Sequence, residues 1–326
     1  MVDRGTQRRT RRWIGQLAAA AGVVLIGAVA VQPLSVSADA PAVPSPSRAT
    51  CQYAPTHRIS QVREAGIREA SGLVASQQFP GIYWTLNDSG NAPILFAFDQ
   101  DGAPRGSFRV TGATNVDWEA LQLGPDGDGG FALYIGDTGD NDQMRRNPVI
   151  YRVPEPEPAP AEGPVTAGET APATAFRFVF PGRSHNSEAM LVHPKTGQIM
   201  MITREVSGLS LVYRLPMPLD PDNVVMADLM DVIDIRPLGP SGNSQVTDAT
   251  ISPDGQHIAV RTYSAVLIFD THKASSPDRI WEQAPAVFPL ADGPKGEGIT
   301  YRLGSDDLLT IGEETPASLY ATDMQC

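Results

Sequence analysis

The sequence predicts an all-β chain folded as a five-bladed β-propeller. Three observations carry that prediction. Strand-like runs of apolar and β-branched residues alternate with Gly, Pro, Asp and Asn, with almost no helical periodicity. An acid followed by a very small residue recurs five times where such a run begins. The last repeat stops one strand short, and a spare strand lies at the other end of the folded region.

In chain order, residues 1–38 read as a secretory signal. Arg4, Arg8, Arg9, Arg11 and Arg12 precede an apolar run from Trp13 to Val31, and Val36-Ser37-Ala38 offers small groups for cleavage. The alternatives are a twin-arginine signal through Arg11-Arg12 and an uncleaved signal anchor, the one expected route to a membrane. Residues 39–50 are rich in Ala, Pro and Ser and read as a linker. The domain is expected over residues 51–326. Cys51 and Cys326, the only two cysteines, stand at its ends, and an oxidising compartment predicts a disulfide between them. Cys51 follows Arg-Ala-Thr, so it is no lipoprotein acceptor.

The signal takes five of the 25 basic and one of the 37 acidic residues with it, leaving a strongly acidic mature chain. That sign excludes nucleic acid and anionic lipid as natural partners, because phosphate recognition needs the opposite charge.

The repeats are Glu69-Ala70-Ser71-Gly72, Asp117-Trp118-Glu119-Ala120, Ser187-Glu188-Ala189, Thr247-Asp248-Ala249 and Gly296-Glu297-Gly298. Their acids lie 50, 69, 60 and 49 residues apart. A four-stranded blade needs about 40–50 residues. The longest interval holds a Pro/Glu/Ala-rich insertion over 154–172, which composition predicts to be a disordered surface loop. In the fifth repeat only three strands remain, and Gln52–Ser60 is the expected fourth, closing the ring and setting Cys51 beside Cys326. A six-bladed ring with one degenerate blade and a two-sheet sandwich are the alternatives. Mature length argues against the first, and five acids at one blade position against the second.

First strands line a propeller's channel, so Glu69, Glu119, Glu188, Asp248 and Glu297 are expected near one mouth. Carboxylates so crowded repel one another unless protonated, bonded or bridged by a cation. Ca2+, which accepts several oxygen ligands in flexible geometry, fits best. Zinc is disfavoured, since the five His show no paired spacing. The alternative is structural: the acids cap backbone N–H groups of neighbouring strands or pair with Arg204 and Arg261.

Loops after the second strands should open on the same face. They carry Asn87-Asp88-Ser89-Gly90, Asp137-Thr138-Gly139-Asp140-Asn141, Arg204-Glu205, Arg261-Thr262-Tyr263 and Glu313-Glu314. Such residues suit turns without further purpose. As a ligand site they nominate Asn87, Asp88, Asp137, Asp140, Asn141, Arg204, Arg261 and Tyr263. His185, near Glu188, is the one candidate general base. Gly-x-Ser-x-Gly, a phosphate-cradling Gly-rich loop and His-Glu-x-x-His are absent.

Residues 247–260, Thr-Asp-Ala-Thr-Ile-Ser-Pro-Asp-Gly-Gln-His-Ile-Ala-Val, resemble a TolB-like or WD-type propeller repeat. The wider pattern joins Glu-Ala-Ser-Gly-Leu (69–73) and Leu-Asn-Asp-Ser-Gly (86–90) to Asp-Trp-Glu-Ala-Leu (117–121) and Ile-Gly-Asp-Thr-Gly-Asp-Asn (135–141). It resembles exported bacterial propellers of the esterase-like phytase and SdiA-regulated type. The resemblance implies a propeller with a channel metal. Two functions follow: a monomeric envelope protein binding a small molecule or envelope partner, or a Ca2+-dependent hydrolase of phosphoesters or lactones.

Overall fold

A computed structural model describes residues 52–236, 245–290 and 296–325. The expected signal (1–38), the linker (39–50), Cys51 and Cys326 lie outside the described residues. Among the described residues no helix is long and apolar enough to cross a membrane.

Among the described residues twenty-four strands build the fold. Blade 1 contains β3 (Ala70–Ala75), β4 (Ile82–Asn87), β5 (Ile94–Asp99) and β6 (Pro104–Arg109). Blade 2 contains β7 (Trp118–Pro125), β8 (Phe131–Asp137), β9 (Val149–Pro154) and β11 (Thr174–Val179). Blade 3 runs β12 (Ser187–Val192), β13 (Ile199–Thr203), β14 (Leu209–Arg214) and β16 (Asp228–Asp234). Blade 4 runs β17 (Val246–Ile251), β18 (His257–Thr262), β19 (Ala265–Asp270) and β20 (Ala286–Pro289). Blade 5 has β21 (Gly296–Tyr301), β22 (Leu308–Gly312) and β23 (Ser318–Thr322), and β2 (His57–Gln61) pairs antiparallel with β23 as its outer strand. The five-bladed, N-terminally closed ring is therefore the fold. The expected single N-terminal strand is divided, because β1 (Gln52–Tyr53) leaves β2 to pair with β24 (Met324–Gln325).

Inner strands β3, β7, β12, β17 and β21 touch their neighbours around the axis. All five are buried along nearly their whole length, so they read as continuous runs rather than alternating ones. Crowding there demands small residues. A Cβ on Gly72 would lie 2.7 Å from Leu121 N, and one on Gly298 2.9 Å from both the Gly72 carbonyl carbon and Leu73 Cβ. Apolar clusters fill the spaces between blades; one joins Trp84 and Leu95 of blade 1 to Trp118 and Ile135 of blade 2.

Each outer strand is reached by the connection between the third and outer strands of the following blade. The blade 2 connection adds β10 (Thr166–Glu169), parallel to β6. The blade 3 connection adds β15 (Val225–Met226), parallel to β11. The blade 4 connection folds as 3-10 turns, and its segment Pro277–Glu282 packs on β16. In blade 5 that connection is replaced by the β1–β24 pair, and Tyr53 packs edge-on against Phe288 of β20 at 4.8 Å. The blade 1 turn reaches the end of β2, where Arg63 N donates to Gly102 O at 2.8 Å.

The Pro-rich insertion is thus not the disordered loop that its composition predicts. Besides forming β10, it docks on blade 1: Trp84 Nε1 donates to Glu155 Oε1 at 2.6 Å, and Ala159 N to Arg105 O at 2.6 Å. Prolines that cannot donate are no handicap in a segment held by its other backbone groups.

Candidate functional site

The site begins with a fault in strand pairing. Near the start of every inner strand the ladder skips one residue: Gly72, Glu119, Glu188, Thr247 and Glu297. Bulges of this kind re-aim a side chain. Where the skipped residue is glutamate, in blades 2, 3 and 5, it lines a cavity of about 360 Å3. Ala70, Ser71, Asp88, Asn141, Arg204, Tyr263 and Glu313 complete the wall. Gln122 crosses the axis further along, its Nε2 donating to Ala249 O of blade 4 at 2.8 Å.

Asp88 reaches the site because blade 2 clamps the blade 1 loop. Asn115 Nδ2 donates to Asn87 O at 3.0 Å and to Asp88 O at 2.9 Å, while its Oδ1 accepts from Trp118 N at 3.0 Å. The clamp sets Asp88 beside Asp117 and Glu119, and one carboxylate oxygen from each lies within 4.8 Å of the other two. Gly139 leaves room for them. A Cβ there would fall on the Asp117 carboxyl and 2.7 Å from Glu119 Oε1. Asp117 Oδ1 is buried without a hydrogen-bond partner, as is Glu297 Oε2.

A second group faces this trio. Arg204 donates from Nη1 to Glu188 Oε1 at 2.9 Å and from Nη2 to the Tyr263 hydroxyl at 2.6 Å. Tyr263 in turn donates to Glu297 Oε1 at 2.8 Å. Asn186 Nδ2 donates to Glu188 Oε1 at 2.8 Å and to Asn141 Oδ1 at 3.1 Å, tying blade 3 to the blade 2 loop.

The electrostatics follow from burial and crowding. Glu119, only 4% exposed, is pushed well above the ordinary glutamate range by burial, then by Glu188, Asp88 and Asp117. Burial, followed by Asp88, raises Asp117 to about 7. Burial, followed by Glu188, raises Glu297 to about 7. Glu188 is also raised by burial, with Arg204 opposing.

The eight loop residues proposed from sequence divide evenly. Asp88, Asn141, Arg204 and Tyr263 line the cavity. The other four hold backbone. Asn87 Oδ1 accepts from Arg68 N at 2.9 Å, and Asp137 Oδ1 from Asp117 N at 2.9 Å and Arg145 Nη1 at 2.7 Å. Asp140 accepts from Met144 N and Arg145 N, closing its own loop. Arg261 is fully buried and donates to Gly298 O at 3.3 Å.

Among the five proposed metal ligands, Glu119, Glu188 and Glu297 line the cavity. Glu69 does not. It is exposed and accepts from Asn91 Nδ2 at 2.9 Å. Asp248 is buried at the axis, where blades 2, 3 and 5 have Ala or Gly after the bulge; its Oδ2 accepts from Ile299 N at 2.9 Å and its Oδ1 from Ala249 N at 2.8 Å. The strand-capping alternative describes this residue. His185 lies outside the cavity wall. Its Nδ1 is 3.1 Å from Glu205 Oε1 and its Nε2 3.1 Å from the Tyr213 hydroxyl, and burial lowers its pKa. Sequence reasoning missed Asp117 and Ser71 as site residues. The signal for Asp117 was available, since blade 2 alone pairs two acids one residue apart at its bulge.

No protein-family model matches the sequence, and no curated protein does. Among solved structures it is similar to the β-propeller domain of Cps50 (Swd1) from Myceliophteria thermophila, at 10% identity and a TM-score of 0.43, covering 82% of this chain and 99% of that one.

Proposed function

We propose that this protein is an exported ligand-binding propeller whose cavity holds a divalent cation, calcium by preference, on Asp88, Asp117 and Glu119. The observation that carries the reading is the approach of those three carboxylates within 4.8 Å in a space that Gly139 keeps open. Such a trio offers hard oxygen ligands at a spacing one ion can bridge, and calcium tolerates irregular sets of them. The ion would supply a fixed positive charge and vacant coordination positions facing the cavity. Export is supported by the basic cluster and apolar run of residues 1–38. Binding is preferred to hydrolysis because His185, the base that the hydrolytic reading nominated, is engaged at both ring nitrogens away from the cavity.

The test is calcium content by mass spectrometry, with titration calorimetry on chelator-treated protein. Wild type is expected to bind about one equivalent, and Glu119→Gln to weaken binding about tenfold or more, the worth of one charge-assisted contact. Asp248→Asn should lower the melting temperature and leave calcium affinity unchanged. Equal binding by wild type and Glu119→Gln overturns the reading.

A further inference from the structure

The cavity is far larger than an ion, and its charge limits what else enters. Asp88, Glu119, Glu188, Glu297 and Glu313 line it against a single guanidinium, Arg204. Arg204 is already committed to Glu188 and Tyr263. Five negative charges against the arginine's one and a divalent cation's two leave the space negative. The three carboxyls that take the ion bind it as carboxylates, and one of them, Asp117, adds a further negative charge, so protons on the remaining acids do not bring the balance above zero. An oxyanion would therefore enter against the field of the wall.

A ligand that shares the site with a hard cation must still offer oxygen lone pairs. An ammonium group has none, and it competes with the cation for the same carboxylates. A hydroxyl meets both demands: its oxygen ligates the ion without adding charge, and its proton goes to a carboxylate. Acceptors are to hand, because Glu297, 8% exposed, has an Oε2 without a partner, and Asn141 and Ser71 add polar groups to the wall. At about 360 Å3 the cavity is at the small end of ligand pockets.

We propose that, beside the cation, this cavity takes a neutral, hydroxyl-rich small molecule of monosaccharide size, one pair of hydroxyls on the ion and another hydroxyl donating to Glu297. The inference rests on the cation reading above and narrows its ligand class.

The experiment uses the full chain, calcium-loaded, with calcium content measured on each sample. D-Glucose, D-galactose and D-mannose are titrated beside D-glucose 6-phosphate and inorganic phosphate, with binding read by saturation-transfer NMR and calorimetry. At least one neutral sugar is expected to bind, to be released by chelator, and to bind about tenfold more weakly to Glu297→Gln with calcium content unchanged. Should that variant fail to fold, the comparison of glucose with its 6-phosphate on wild type decides the matter. Tighter binding of the phosphorylated sugar or of phosphate overturns the inference. Calcium without binding of any of the three sugars overturns it alone, whereas absence of calcium overturns the cation reading and this one with it.

Discussion

Gly139 touches the proposed cation site without offering it a side-chain ligand. Its missing side chain is the space in which the Asp117 and Glu119 carboxylates sit. Gly139→Ala is expected to cost calcium affinity about as much as removing a carboxylate, about tenfold, while every candidate ligand remains. Calorimetry beside Glu119→Gln checks it. The raised carboxyls also set a pH dependence. Asp117 and Glu297, shifted to about 7 by burial, hold protons in the folded state that the unfolded chain releases near pH 4. The native state then binds more protons across that window, so metal-free stability falls as pH rises from about 4 to about 7. Thermal unfolding in chelator at about pH 5 and pH 8 should give the higher midpoint at pH 5, and added calcium should raise the pH 8 value more. At this scale the sequence was half legible. An acid before a small residue picks out Glu119, Glu188 and Glu297, which line the cavity. It misleads at Asp248, where the bulge falls one residue earlier, on Thr247, and at Glu69, three residues before the bulge at Gly72. A slip of one residue turns a side chain to the other face of a strand, and no pattern of residue types reveals a bulge's phase.

At the level of elements, the strands of blades 2 to 5 were readable nearly to their ends, because runs such as Ala265–Asp270 and His257–Thr262 are bounded by turn residues. The insertion was not, since Pro154-Glu155-Pro156-Glu157-Pro158 has a disordered composition, while the contacts that order the segment, of Glu155 with Trp84 and of Pro160 with Arg105, join residues 71 and 55 positions apart. Composition reports how much apolar surface a segment can bury; it is silent on a surface already waiting to receive it. The docking has an observable consequence. Amides of Thr166–Glu169, paired with Gly106–Arg109, should exchange hydrogen far more slowly than those of Ala161 and Glu162, a difference that peptide-resolved exchange mass spectrometry reads directly. Glu155→Ala, which leaves Trp84 Nε1 buried without its acceptor, should erase part of that protection.

For the whole molecule, the ring closes where the first and last described strands meet. Gln52 pairs with Gln325 in an antiparallel ribbon, and their neighbours in sequence are Cys51 and Cys326. Oxidised protein is expected to carry a disulfide between them, seen as a loss of two hydrogens by intact mass. Reducing it should lower stability by about 4–5 kcal/mol in the chain-entropy picture for a loop of this size. The relay of covers around the rim has another implication, for the order in which the molecule can be finished. A chain emerging from its N-terminus leaves each blade raw-edged until the next has folded past its third strand. Blade 4 must wait for β1 to meet β24, and blade 5 for β2, made early and used last. A chain cut short after β21 would therefore leave the last two sheets incomplete at once, whereas in the finished ring β6 and β11 each carry an added parallel strand and β16 lies against the Pro277–Glu282 turns. The acidic cavity stands apart from those edges, walled in part by Asp88, Asn141, Arg204, Tyr263 and Glu313 from the loops after all five second strands.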